Sequence, residues 1–194
     1  MKVKYLYNSG FEVHFKKHIL VFDSTRDHEI EDAEGKTVYH FCTHSHPDHY
    51  NPYILEKGVC ILSNDIDAGN GHNIVYLEPY EELRVGGIWV RTFGSTDAGL
   101  SFYVLCEGKT LFHSGDLNLW YWEDDPEEVQ KKEKKDYHRE IKKLRDYLDK
   151  QKLDIAFVPV DRRLGENCTM AIEYFLDTIN VKTVFPMHFR QDYE

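Results

Sequence analysis

The chain has 194 residues, 41% of them hydrophobic, and a formal net charge of −10. That is one domain's worth of sequence, long enough to bury a core without disulfide staples, and residues 1–194 are read as a single domain. No run reaches the roughly eighteen consecutive apolar residues of a membrane-spanning helix, and the acidic balance lacks the basic stripe that nucleic-acid phosphates require.

The N-terminal segment MKVKYLYNSGFEVHF alternates polar and apolar residues, reading as a first strand rather than a secretion signal. Strand-like runs follow at 2–7, 11–15, 18–22, 37–42, 59–63, 74–77, 88–93 and 101–106, with turn residues between them at Asn8-Ser9-Gly10, Glu34-Gly35, Gly86-Gly87 and Glu107-Gly108. The character changes near residue 124. Asp125-Pro126-Glu127-Glu128 is a helix start with Asp125 as its cap, and Val129, Tyr137, Ile141, Leu144 and Leu148 recur at helical spacing. Leu153 to Val160 reads as a buried strand, 168–179 as a helix and Val181 to Pro186 as a last strand. Cys42, Cys60, Cys106 and Cys168 form no Cys-x-x-Cys pair and are expected to be reduced packing residues, which makes the cytoplasm the default compartment.

Thr43-His44-Ser45-His46-Pro47-Asp48-His49 follows the apolar run Val38–Cys42, which delivers it to the end of a strand. In extended chain His44 and His46 point the same way, and Pro47 then forces a turn that lets Asp48 and His49 face a neighbouring point. Three imidazoles and a carboxylate in so short a stretch suit a pair of divalent metal ions.

His-x-His-x-Asp-His resembles the signature of the metallo-β-lactamase superfamily, and the resemblance extends over nearly the whole chain. It implies a four-layer αβ/βα sandwich with two metals at one edge between the sheets. It further implies that Asp23, closing the strand His18 to Phe22, supports the histidine loop. Asp116 in His113-Ser114-Gly115-Asp116 would bridge the ions, and His188 in Pro186-Met187-His188-Phe189 would be the last ligand. The family's usual histidine ahead of the bridging aspartate is missing. Thr96-Asp97-Ala98-Gly99 stands there instead, so Asp97 takes that place, while His72 reads as an exposed turn. Metal 1 is then assigned to His44, His46 and Asp97, and metal 2 to Asp48, His49 and His188, with Asp116 between them. Zinc is the first expectation, with manganese or iron favoured by the harder carboxylate of Asp97.

The resemblance implies hydrolysis by a metal-bound hydroxide at a dinuclear centre, with Asp48 and Asp116 as catalytic ligands. The order of motifs is most similar to the branch that includes ascorbate-6-phosphate lactonase, and so to a small phosphorylated or carboxylated metabolite as substrate. Arg162 or Arg163 could hold a phosphate in a bidentate fork or, equally, form an ion pair with Asp161 or Glu166. His113 and Asn118 are further substrate candidates, and Trp120, Tyr121 and Trp122 form either a pocket wall or core. A nuclease of the same superfamily and a metal-binding protein with little catalysis are the alternatives. The chain ends shortly after His188, so a further C-terminal element is expected outside this sequence.

Overall fold

The computed structural model of this chain describes residues 1–190. Six strands, β1 (Lys2–Tyr7), β2 (Gly10–His14), β3 (His18–Phe22), β4 (Thr37–Cys42), β5 (Val59–Ser63) and β6 (Ile74–Leu77), form one sheet in chain order. The pairs β1–β2 and β2–β3 are antiparallel, and pairing is parallel from β3 through β6. A second sheet holds β7 (Glu82–Val85), β8 (Ile88–Phe93), β9 (Ser101–Cys106), β10 (Lys109–His113), β11 (Leu153–Pro159) and β12 (Val181–Met187) in the order β12-β11-β10-β9-β8-β7. It is antiparallel from β7 to β10 and parallel from β10 to β12.

The sheets pack face to face because each carries an apolar inner row. Leu20, Phe22, Phe41 and Ile61 of the first meet Val90, Phe102, Val104, Leu111 and Phe157 of the second, and all are buried. Burying one such side chain contributes about 1.5–3 kcal/mol, so this seam dominates the fold. The far face of the second sheet is covered by α1 (Glu127–Leu148) and α2 (Met170–Thr178). Tyr137, Ile141, Leu144 and Leu148 supply α1's buried stripe, and the Tyr137 hydroxyl donates to the Ala171 carbonyl at 2.8 Å. The matching outer layer of the first sheet is slighter. A short 3-10 helix, Pro52–Glu56, presses Ile54 onto Cys42, Cys60 and Leu62 there. All four cysteines are buried and unpaired. Among the described residues no helix is long and apolar enough to cross a membrane.

Some elements depart from the sequence reading. The hairpin partners β7 and β10 fall outside the predicted strands. Helix α1 begins after Pro126, and Asp125 makes no capping bond. Val129, expected in the buried stripe, is 40% exposed. The other expected strands form, and the sheet order brings the carboxyl ends of β3, β4, β10, β11 and β12 to one edge, where open α/β sheets place their binding loops.

Candidate metal centre

The histidine loop leaves β4 at Cys42 and is pinned from beneath by Asp23. One Asp23 oxygen accepts from the Thr43 amide at 2.9 Å; the other accepts from the Thr43 hydroxyl and from His49 Nδ1, both at 2.8 Å. Holding Nδ1 this way fixes the tautomer and aims Nε2 of His49 into the cleft, the usual arrangement around a metal-binding histidine. Pro47 closes a turn in which the amides of His49 and Tyr50 both donate to the His46 carbonyl at 2.9 Å. Asp65 receives the Ser45 amide at 3.0 Å and steadies the far side.

From the second sheet, Gly115 turns the chain after β10 with φ +55°, a left-handed conformation that a side chain disfavours, and with Thr43 too close to admit a Cβ. Asp116 emerges from that turn. His188 follows β12, also in the left-handed region with φ 64°. Its amide donates to the Asn8 carbonyl at 3.1 Å, and its Nδ1 lies 3.0 Å from Asp161 Oδ2.

These pieces converge. Asp116 Oδ1 lies 3.1 Å from His49 Nε2 and 3.3 Å from His188 Nε2, while its Oδ2 lies 3.6 Å from His44 Nε2. Asp48 Oδ2 stands 3.9 Å from His49 Nε2 and 3.8 Å from His188 Nε2, steadied by a 3.3 Å bond from Asn8 Nδ2. His46 Nδ1 is 3.0 Å from His44 Nε2 and 3.9 Å from Asp97 Oδ2. Two atoms that each sit about 2.1 Å from one ion are separated by about 3–4 Å, so these spacings suit shared ligation. Three of the atoms, His49 Nε2, His188 Nε2 and Asp116 Oδ1, are buried without a hydrogen-bond partner. Leaving such groups unsatisfied costs about 1–3 kcal/mol each, and a cation between them removes that cost.

The electrostatics follow from the crowding. Burial alone would raise the Asp116 carboxyl, but His49, then His188 and His44, hold it well below the usual carboxylate range. Burial would likewise lower His49, yet Asp23 and Asp116 override it and carry the imidazole up to about 10. These carboxylates favour the protonated imidazole, and ligation of an ion by Nε2 would have to displace that proton. His44 is held down by burial and by His49, against the pull of Asp116 and Asp23.

Asp97 reaches this cluster because Gly99, at φ +65°, brings its loop hard against the histidine loop. A Cβ there would collide with the Thr43 carbonyl, to which the Leu100 amide donates at 3.0 Å. Three ligand groups result: His44, His49 and Asp116; Asp48, His49 and His188; and His46, Asp97 and Asp116. A cleft of about 470 Å³ opens over them, lined also by Thr96, Trp120, Trp122, Asp125, Val129, Glu133, Arg163 and Arg190.

Other expected residues fall elsewhere. His113 is fully buried and stacked on Phe22; its Nε2 donates to the Ser9 carbonyl at 2.8 Å and its Nδ1 accepts from the Gly115 amide. That removes it from the substrate candidates and makes it a brace beneath the site. Asn118 is fully buried too and does not line the cleft. Arg162 is exposed outside the cleft lining, whereas Arg163 lies in it. The Arg163 fork is given to Asp161, with Nε at 2.9 and 3.0 Å from its two oxygens and a further bond from Nη2. Burial works against Asp161's ionisation, but His188 and Arg163 hold its carboxyl well below the usual range. The ion-pair alternative is thus the geometry found. His72 lies in an exposed turn, as expected. Asn8, Asp65 and the Asp125–Glu133 wall were not anticipated; only the Asn-Ser-Gly turn at Asn8 left any trace in the sequence.

No protein-family model matches the chain, and no curated protein matches its sequence. Solved structures do. It is similar to CmlA, a diiron β-hydroxylase from Streptomyces venezuelae, at 12% identity and TM-score 0.64, over 96% of this chain and 44% of that one. It therefore spans less than half the length of that enzyme. It is also similar to a protein from Thermotoga maritima assigned to the Zn-dependent hydrolases of the metallo-β-lactamase superfamily, at 16% identity and TM-score 0.55, over 99% and 77% of the two chains. A third likeness is to the metallo-β-lactamase fold protein YhfI from Bacillus subtilis, at 8% identity and TM-score 0.53, over 94% and 90%. The two six-stranded sheets, the ligand loops at their common edge and these likenesses together show that the chain has the metallo-β-lactamase fold.

Proposed function

We propose that this protein is a metal-dependent hydrolase that binds two divalent ions between its sheets and acts on a small anionic metabolite, a lactone or a phosphodiester. The observation that carries the reading is the split of Asp116, whose Oδ1 faces His49 and His188 while its Oδ2 faces His44. One carboxylate presented to two imidazole groups suits a bridge between two ions. His44, His46 and Asp97 would hold one ion and Asp48, His49 and His188 the other. Bound there, such ions supply Lewis-acid polarisation of the substrate and an activated water. The chain's own part is to hold the imidazole tautomers through Asp23 and Asp161 and to exclude water with Trp120. A carbonyl or phosphoryl group can approach over Asp48 and Asp97, the exposed side of the cluster.

The test is metal content by elemental analysis after loading with zinc, manganese or iron, followed by turnover of bis(p-nitrophenyl) phosphate and of a simple lactone. Two ions per chain with turnover of either probe is expected; no bound ion, or two ions with neither probe hydrolysed, would sink the proposal. Parallel loading also decides whether zinc or a harder ion is preferred.

Two substitutions probe the ligand assignment. Asp48→Ala should leave one ion per chain and remove nearly all turnover without loss of fold, since this side chain is 37% exposed on a loop. Asp97→Ala should also leave one ion, while Asp97→His, which restores a longer imidazole arm, should slow zinc loss to a chelator by about tenfold. Two ions retained in Asp97→Ala would make Asp97 an ordinary turn residue.

A further inference from the structure

The cleft continues beyond the ligand cluster to a wall formed by Trp120, Trp122, Asp125, Val129 and Glu133. Trp120 and Trp122 stand two residues apart on the irregular segment after β10, with ring centroids 6.5 Å apart and planes only 9° from parallel. Trp120 is fixed by a 3.3 Å bond from its Nε1 to the Asp116 carbonyl and by an edge contact with His188 at 5.8 Å. The Arg163 guanidinium lies 6.0 and 5.8 Å from the two ring centroids, so the indole pair already receives one cation.

Opposite charge gathers at the start of α1. Along the helix Glu127 is answered by Lys131 at 2.7 Å, Asp136 by Lys132 at 2.9 Å and Glu140 by Lys143 at 2.9 Å, and Glu128 is exposed outside the cleft lining. Asp125 is different. It neither caps the helix nor, among the described residues, pairs with a lysine or arginine. Glu133, one helical face along, reaches only Lys132, at 4.0 Å. Burial pushes the Glu133 carboxyl up; Lys132 draws it back in part, and Asp136, Asp125 and Asp97 raise it further. These carboxylates repel one another across open space. The inner end of the same cleft receives the unpartnered atoms of His188 and Asp116, which are 2% and 4% exposed.

We propose that the outer half of the cleft binds an ammonium group between the Trp120 and Trp122 rings and the carboxylates of Asp125 and Glu133. The substrate is then a small zwitterion, with its anionic phosphodiester at the ligand cluster and its cation at the start of α1. An indole face with nearby carboxylates is a favourable seat for an alkylated ammonium, which the rings desolvate at low cost. The metal end of this substrate rests on the hydrolase reading; the cation end does not.

The test is tryptophan fluorescence of the zinc-loaded protein titrated with choline, with ethanolamine and with dimethylbutanol, the uncharged carbon isostere of choline. Both amines should give saturable changes and the alcohol none at the same concentrations. Asp125→Asn and Glu133→Gln should each weaken choline binding by about fivefold or more, and Trp122→Ala should weaken choline more than ethanolamine. An equal response to the alcohol, or undiminished choline binding in the Asp125→Asn/Glu133→Gln double variant, overturns the inference. The same titration after chelation separates the two readings. If the hydrolase reading fails, choline binding survives; if this one fails, metal content and diester turnover survive.

Discussion

Asp116→Ala is expected to strip both ions from the protein and to lower turnover of a phosphodiester probe by about a thousandfold or more, a barrier increase of about 4 kcal/mol. This side chain faces both halves of the cluster: its two oxygens approach His49 and His188 on one side and His44 on the other. Its removal also takes from His49 one of the two carboxylates that carry it up to about 10, leaving Asp23 at 2.8 Å and Asp48 at 3.9 Å. Elemental analysis should find less than half an ion per chain, and a melting curve of the ion-free variant should match that of ion-free wild type to within a few degrees. Retention of one tightly held ion would show that the two sites are independent and that Asp116 belongs to only one of them.

Asp23→Ala should act mainly on stability, lowering that of the ion-free protein by about 3 kcal/mol or more. The carboxylate is fully buried and accepts from the Thr43 amide, the Thr43 hydroxyl and His49 Nδ1, so its loss leaves three buried donors unanswered. Ion affinity should fall by about 10–100-fold as well, because the His49 ring loses the partner that orients it. The pH dependence has a definite sign. Burial tends to raise the Asp23 carboxyl, but His49, His113 and His44 hold it below its ordinary value of 3.8. Its contribution is therefore present above about pH 4 and lost as pH falls through the lower folded-state value. Chemical denaturation at pH 7 and at acid pH should show the wild-type advantage over Asp23→Ala shrinking as acid is added. An advantage that grows with acid would contradict the ionised assignment.

Much of this arrangement was legible in the residues. The cluster from His44 to His49 declared itself because its ligands are adjacent in sequence and Pro47 dictates the turn. Asp23, Asp116 and His188 could be placed because the resemblance implies them in that order, Asp23 and His188 each straight after a strand-like run. What escaped was whatever depends on where a side chain is spent. For Arg163 the sequence left a phosphate fork and an ion pair equally open; Asp161, two residues away, takes its guanidinium and relays the contact to His188. His113 sits one residue inside β10, where the pleat turns it toward Phe22 and away from the cleft. Asp125 looks like a helix cap, but Pro126 occupies the cap position. The strands β7 and β10 are short hairpin partners, too brief to carry a clear alternating pattern alone. The slighter outer layer on the first sheet was hidden because Pro52–Glu56 is a single short 3-10 helix, too brief to carry a helical period.

The two sheets are built from the first and second halves of the chain, and the ligand set draws on both. His44, His46, Asp48 and His49 come from the first, Asp97, Asp116 and His188 from the second. An ion shared between His49 and His188 would therefore be a reversible cross-link that closes a loop through most of the chain. Long closures of this kind remove more entropy from the unfolded ensemble than short ones, though the gain grows only logarithmically with length. Free ion at a hundred times its dissociation constant would add about 2.7 kcal/mol to unfolding. The contact that joins β12 and its histidine to a loop more than a hundred residues earlier in the chain would then be the one that metal availability controls.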